Sequence, residues 1–273
     1  MESVFLVLAT LCYFIGMIGY LVYLLKSEDT IHRVALGTLL VGALVHGGAI
    51  AFQSFQRGEF AVASSPEALS FFAWVIIVVY LVVQPKLGLG VLGSFVSPLA
   101  VIFMLVSSLL PQYALPENAT IKSGWVIFHV TVLFAANALF ALAFCSSLMY
   151  LLQERQIKKK HFGFLYPRLP SLERLDQINH RCLLIGFPLM TIGLVTGFAY
   201  AGKAWRPPWQ WDPKIIFALA TWFMYAVLLH ERLTVGWRGR RAAWLAIFGF
   251  LAILITFLGV NLFFKGHHTA FFR

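Results

Sequence analysis

A short stretch near position 205 concentrates rigid aromatic surface in what its prolines mark as a loop. It reads WRPPWQWDPK, Trp205 to Lys214, and holds three of the protein's eight tryptophans: Trp205, Trp209 and Trp211. Loops ordinarily carry small polar residues, because their backbone must stay solvated. Flat indole rings could form a wall for a porphyrin, and prolines on both sides of Trp209 reduce the cost of ordering that wall. The alternative is an interfacial aromatic belt, which is common in membrane proteins. A belt, however, does not require this arrangement of prolines.

Histidines supply the second kind of candidate chemistry. Imidazole is a good axial ligand for haem iron, and two such ligands hold a low-spin haem. His129, His267 and His268 are the candidates that accompany the tryptophans. His46 lies within an apolar stretch, where an ionisable group is costly and is either functional or a neutral ring bonded to a neighbouring carbonyl. His230 precedes Glu231 and Arg232, so it is either functional or an interfacial residue at a charged helix end.

The elements that must position these residues are membrane helices. The chain is 60% hydrophobic and only 12% charged, with a mean hydropathy of +0.82, which excludes an ordinary soluble domain. Apolar stretches recur at about the 20 residues needed to cross a bilayer. We predict a single all-α, polytopic membrane domain over 1–273, with the Trp-rich loop at 203–214. The eight predicted spans are 3–25, 32–53, 69–84, 88–110, 125–152, 182–202, 213–230 and 242–264.

The Lys and Arg residues lie mainly in alternate loops and do not form one patch. Of the 21 Lys and Arg residues, 14 fall in alternate loops, including the run from Arg155 to Arg181. The positive-inside rule therefore predicts that these basic loops are cytoplasmic and that both termini and the Trp-rich loop lie outside. The net charge is +10. Its densest run, RQIKKK, is thus interpreted as an orientation signal that also contacts anionic lipid, and nucleic acid is excluded as a partner.

This topology brings the aromatic loop and several histidines to one face of the membrane. His129 lies about four residues, or roughly 6 Å, inside the outer end of the fifth span. His267 and His268 follow the eighth span on the same side, and Asp212 is expected to cap the seventh span with Pro213 in its first turn. We assign His32, His161 and His180 to the surface of inner loops, and residues around Ser171 to a short helix before the sixth span. The three cysteines are isolated, which argues against a disulfide framework or a zinc site.

WRPPWQWDPK resembles the WWD signature of haem-handling membrane proteins, whose usual form is W-G-x-x-W-x-W-D. The flanking stretches LERLDQINHRCLLIGFPLMTIGLVTGFAYA, GWRGRRAAWLAIFGF and GVNLFFKGHHTA are similar to the CcsA (ResC) cytochrome c assembly proteins. The resemblance is close over about 170–270 and looser before that. It implies a System II cytochrome c synthase subunit that works with a CcsB (ResB) type membrane partner.

The resemblance also implies roles for individual residues. It implies that the outer haem b is ligated by His129 and His268, with His230 an inner haem ligand sharing its iron with a partner histidine. Arg206 replaces the usual Gly of the signature and could pair with a haem propionate, and His267 adds a second imidazole beside His268.

Two functions follow from the resemblance. The favoured one is a haem-binding subunit that carries haem outward and presents it to the Cys-x-x-Cys-His segment of an apocytochrome c, with a thiol-reducing pathway keeping the reactants reduced. The protein then supplies position and electronics, and the porphyrin supplies the chemistry. The alternative is a haem chaperone of the CcmC type, which hands haem to a carrier without ligation. A transporter with an aromatic-gated site lacks the expected broken-helix or repeat signals.

Overall fold

The computed structural model describes residues 2–62, 64–88, 90–111, 124–160, 163–204 and 213–259, and their regular structure is helical. Eight of these helices are long and apolar enough to cross a membrane, which confirms the predicted all-α membrane architecture. The principal helices are α1 Glu2–Lys26, α2 Asp29–Arg57, α3 Ser65–Leu87, α4 Gly93–Leu109, α5 Gly124–Lys158, α6 Leu172–Ala204, α7 Pro213–His230 and α8 Arg240–Leu254. A 3₁₀ turn Gly90–Leu92 precedes α4, and π-helical turns Glu231–Val235 and Ile255–Gly259 follow α7 and α8.

The helix starts show where the sequence patterns were misleading. The third span was predicted to begin at residue 69, but α3 begins at Ser65 because Ser64 and Glu67 form a capping box. The short helix predicted before the sixth span is wrong, since α6 runs without a break from Leu172 into the span. The predicted start of the seventh span is confirmed at Pro213.

In the first group of helices, α1 to α4, small residues let α1 and α2 pack closely. A Cβ built on Gly19 would lie 2.9 Å from the Cβ of Ala35, and one on Gly42 would meet Tyr13 at the same distance. Close approach of this kind is the usual means of association in a bilayer, where lipid tails are as apolar as leucine.

Helix α5 is the centre of the second group, which comprises α5 to α8. It packs mainly against α6 and α8, and its buried face is rich in alanine, including Ala136, Ala138, Ala141 and Ala143. Phe140 of α5 stacks on Tyr225 of α7, with ring centroids 3.8 Å apart and planes 9° apart.

A cluster of four phenylalanines joins the two groups of helices. Phe134 contacts Phe71 and Phe72 of α3 at centroid distances of 5.3 and 5.5 Å. It also contacts Phe257 at 5.6 Å in the turn after α8. Such edge-to-face and tilted pairs add stabilisation beyond the buried area, so α3 and α5 fix the relation between the two groups.

The helices alternate in direction, so their connections define two ends of the bundle. We call the end with the connections at 27–28, 88–92, 159–171 and 236–239 the basic end, because most of the Lys and Arg residues lie there. The other end, with the connections at 58–64, 110–123 and 205–212, is the Trp-loop end.

Candidate functional site

His129 lies in the second turn of α5, at the Trp-loop end of the bundle, where α5 packs against α6. Trp125 stands one turn earlier and donates its indole N–H to the main-chain oxygen of Thr196 at 2.9 Å. This bond ties the beginning of α5 to the last turns of α6. His129 itself is partly buried.

The hydrogen bonds of His129 decide which ring nitrogen carries the proton. Nδ1 lies 2.7 Å from the main-chain oxygen of Gly193. A carbonyl oxygen can only accept, so Nδ1 carries the hydrogen and donates it. In that tautomer Nε2 holds the lone pair that a metal requires. A histidine that ligates a metal through one nitrogen usually donates its other N–H in this way, so His129 fits a haem-iron ligand.

The other residues predicted to lie on the same face of the membrane as His129 are outside the described residues. They are Trp205, Arg206, Trp209, Trp211, Asp212, His267 and His268. The helices on either side of the tryptophan loop, α6 and α7, end and begin at Ala204 and Pro213. The described ends of α6 and α7 therefore lie at the same end of the bundle as His129.

His46 is fully buried among α1, α2 and α3 and does not fit a haem ligand. Its Nδ1 lies 3.3 Å from the Tyr13 hydroxyl and its Nε2 lies 2.9 Å from the Ser70 hydroxyl. Both ring nitrogens are thus engaged, and the side chain is 0% exposed. Of the two interpretations from the sequence, the structure favours a neutral, bonded histidine, although its partners are hydroxyl groups rather than a carbonyl.

His230 ends α7 at the basic end and lies on the face of that helix turned away from the bundle. The buried positions of α7 and its π-helical extension are Thr221, Tyr225, Leu228 and Arg232. The opposite stripe is exposed and consists of Ile216, Ala220, Phe223, Val227 and His230. Because His230 lies on this outward stripe, which is otherwise apolar, no helix of the described bundle packs against its imidazole.

The segment that follows His230 is held by a buried polar network. Arg232 donates to Asp176 Oδ2 at 2.9 Å and to Asn179 Oδ1 at 3.4 Å. Asn179 in turn donates to the Ser147 hydroxyl, and the N–H of Gly239 donates to Asp176 Oδ1 at 2.9 Å. The network connects α5, α6, the turn after α7 and the start of α8, and the sequence interpretation did not include it.

Two histidines predicted to lie on the surface of inner loops belong to helices instead. His32 belongs to α2, contacts Tyr20 and Tyr23 with ring centroids 5.8 and 5.0 Å away, and lies 3.2 Å from the Gln84 amide nitrogen. His180 belongs to α6 and lines a cleft of about 390 Å³ at the basic end, together with Arg232 and Arg238. Loop assignments failed here because the helices extend beyond their apolar cores. His161 lies outside the described residues.

Within the described part of the chain, no group of three or more His, Cys, Asp or Glu residues could hold a bare metal ion. The three cysteines are free. Individual imidazoles such as that of His129 suit axial ligation of an iron that a porphyrin already holds.

Comparison with known proteins addresses the chain as a whole. The family described as "Cytochrome C assembly protein" matches residues 62–268. A cytochrome c biogenesis protein CcsA of Guillardia theta is 30% identical, covering 97% of this chain and 92% of the relative. The protein of the same description from Porphyra purpurea is 33% identical, covering 86% of each chain. One from Prochlorococcus marinus (strain MIT 9303) is 30% identical over 86% of this chain and 84% of its own.

The match extends over most of the chain and includes helices α3 to α8, which carry both His129 and His230. It agrees with the eight membrane-spanning helices. The chain belongs to the cytochrome c assembly protein family, and its role lies in cytochrome c biogenesis.

Proposed function

We propose that the chain binds haem b and carries it across the membrane, presenting it at the Trp-loop end for covalent attachment to apocytochrome c. The observation that carries this proposal is the hydrogen bond from His129 Nδ1 to the Gly193 carbonyl. In the tautomer that this bond selects, Nε2 carries the lone pair that iron would bind, the arrangement expected of a metal-ligating histidine. The second axial ligand is His268, with His267 its neighbour, and the haem is therefore bis-imidazole.

The tryptophan loop forms the wall of this site. Trp205, Trp209 and Trp211 support the porphyrin face, Asp212 caps α7, and Arg206 pairs with a propionate. The loop joins α6 to α7, and α6 also provides the partners of the His129 ring. The wall and the ligand are consequently held by the same helix.

The bound porphyrin supplies its vinyl groups as electrophiles, across which the two thiols of a Cys-x-x-Cys-His segment add. Each addition forms one S–C bond, and the thiol proton ends on the adjacent vinyl carbon, so no net oxidation occurs. The residues of this chain hold the haem in place until the incoming histidine replaces one of their imidazoles. A thiol-reducing pathway is required because only the free thiols react.

His230 is the inner ligand in this proposal. Helix α7 has 18 residues, or about 27 Å at 1.5 Å per residue, so His230 and His129 serve different haem positions. Since His230 lies on the outward stripe of α7, its opposing ligand comes from another subunit, a CcsB (ResB) type membrane partner. The basic end is cytoplasmic, and the Trp-loop end and both termini face the periplasm or the thylakoid lumen.

The decisive experiment replaces His129 with Ala in the full chain, isolated with its partner. In the absorption spectrum of the reduced haem we expect loss of the outer haem's low-spin contribution, together with loss of cytochrome c maturation and partial recovery of both on adding imidazole. Unchanged low-spin haem and maturation in the variant would contradict the proposal. A protein that still binds haem and passes it to a carrier, with no covalent product, would indicate the chaperone function instead.

A further inference from the structure

We infer that Gly197 and Thr196 are positioning residues for His129. Gly197 provides the space that the imidazole ring occupies against α6. Thr196, together with the Gly193 carbonyl, fixes the tautomer in which Nε2 is the iron-binding nitrogen. This inference rests on the proposed haem site and assigns to α6 a part in building it.

The atoms that a Cβ at position 197 would contact show the space that Gly197 leaves for the imidazole. A Cβ built on Gly197 would lie 3.0 Å from His129 Nδ1, 3.2 Å from Nε2 and closer still to Cε1. The three heavy atoms nearest to that Cβ therefore all belong to the imidazole. One turn earlier, a Cβ on Gly193 would overlap the side chain of Leu133. The two glycines lie on one face of α6, and together they admit the His129–Leu133 face of α5.

The tautomer is fixed by a chain of donors and acceptors. The Thr196 hydroxyl donates to the Gly193 carbonyl at 2.8 Å. Its oxygen also lies 3.3 Å from His129 Nδ1, where it accepts a share of the same N–H. The other tautomer would place the Nδ1 lone pair against the carbonyl oxygen, which is repulsive. The Trp125 bond to the Thr196 carbonyl holds α5 in register for these contacts.

Alanine at position 197 should displace the imidazole from its seat, and valine at 196 should remove one of the two acceptors for the Nδ1–H. Loss of such supporting contacts typically weakens metal binding about 10–100-fold. We expect Gly197→Ala to act more strongly than Thr196→Val, because the carbonyl acceptor remains in the latter. Thr196→Ser keeps the acceptor and should behave as the wild type.

The test compares these variants with His129→Ala and with Gly48→Ala in the full chain isolated with its partner. Gly48 lies on α2, and a Cβ there would have nothing within 4 Å, so it controls for a helical glycine-to-alanine change. Haem retained per protein and the low-spin spectrum are measured with and without imidazole. Histidine ¹⁵N NMR of the haem-free protein, with His129→Ala for assignment, reports the protonation of each ring nitrogen directly.

The expected result is a loss of outer-haem retention of roughly tenfold or more in Gly197→Ala, a smaller loss in Thr196→Val, and recovery with imidazole. Thr196→Ser and Gly48→Ala should match the wild type, and Nδ1 of His129 should be protonated without haem. If His129→Ala loses the outer haem while Gly197→Ala and Thr196→Val retain it, the positioning role is wrong and the site itself stands. If His129→Ala retains the outer haem, the proposed function fails. An unprotonated Nδ1 overturns the inference even if Gly197→Ala does not fold.

Discussion

The ion pair between Asp176 and Arg232 offers a quantitative test of how the basic end is held together. The Arg232 side chain is 3% exposed and that of Asp176 is 16% exposed. Asp176 accepts bonds from Arg232 through Oδ2 and from the Gly239 N–H through Oδ1. The change Asp176→Asn preserves size while removing the negative charge, so the arginine stays buried without a counter-ion.

The magnitude follows from this burial. Removing one partner of a buried ion pair costs about 3–5 kcal/mol, because the remaining charge is left uncompensated. For a chain of this size, each kcal/mol corresponds to roughly 2–4 °C in the unfolding midpoint. We therefore expect Asp176→Asn to lower the midpoint by roughly 6–20 °C.

The assay is thermal unfolding of the purified full chain in detergent, followed by intrinsic fluorescence. Lys158→Met is the control, since Lys158 pairs with Glu154 at 2.7 Å with 58% of the lysine side chain accessible, and Glu154 keeps Arg240 as a second partner at 3.7 Å. Such surface pairs contribute about 0–1 kcal/mol, so the control midpoint should fall by a few degrees at most. Equal shifts for the two variants would refute the reasoning. The double change Asp176→Leu with Arg232→Met should recover part of the lost stability, because it leaves no unpaired charge.

Three further predictions separate the roles of the other aromatic and histidine residues. Changing Trp209 or Trp211 to Ala should lower haem content by absorption spectroscopy while membrane insertion is unaffected; a belt residue would alter insertion and leave haem unchanged. Replacing His46 with Ala should destabilise the bundle by about 1–3 kcal/mol through its unpaired hydroxyl partners, measured by thermal unfolding, with no change in the haem spectrum. Replacing His230 with Ala should deplete haem throughout the complex, whereas His129→Ala should leave haem at the inner position; normal outer haem in the His230 variant would exclude the proposed relay.

The hydropathy pattern was enough to predict the helices but not their ends. Eight apolar stretches identified the spans because each must cross the same thickness of hydrocarbon. The ends were missed where polar residues continue a helix beyond the membrane. The Ser64–Glu67 capping box begins α3 earlier than its apolar run, and α6 begins at Leu172 among charged residues. Hydropathy does not register either signal.

The residues of the candidate site also include some that could be predicted from the sequence and some that could not. His129 could be predicted as a candidate ligand from its position near the end of a span, because imidazole is a good ligand for haem iron. Gly193, Thr196 and Gly197 could not, since an isolated chain does not reveal which helix they face. Their spacing along GFPLMTIGLVTGFAYA indicates a small-residue face. Only the pairing of α5 with α6 shows that this face receives the imidazole.

The His129 ring is held by its own chain and the His230 ring is not, and this difference bears on the direction of haem movement. His129 is preorganised by its own chain, since the Gly193 carbonyl holds its ring before any iron arrives. The side chain of His230 is exposed and makes no hydrogen bond among the described residues. A ligand already held in place loses less freedom on binding. A haem released from an inner position that depends on a partner's contribution would therefore gain stability on reaching His129. In the proposed function, this difference favours outward delivery of haem, because the preorganised ligand, His129, lies at the end of the bundle where the apocytochrome binds.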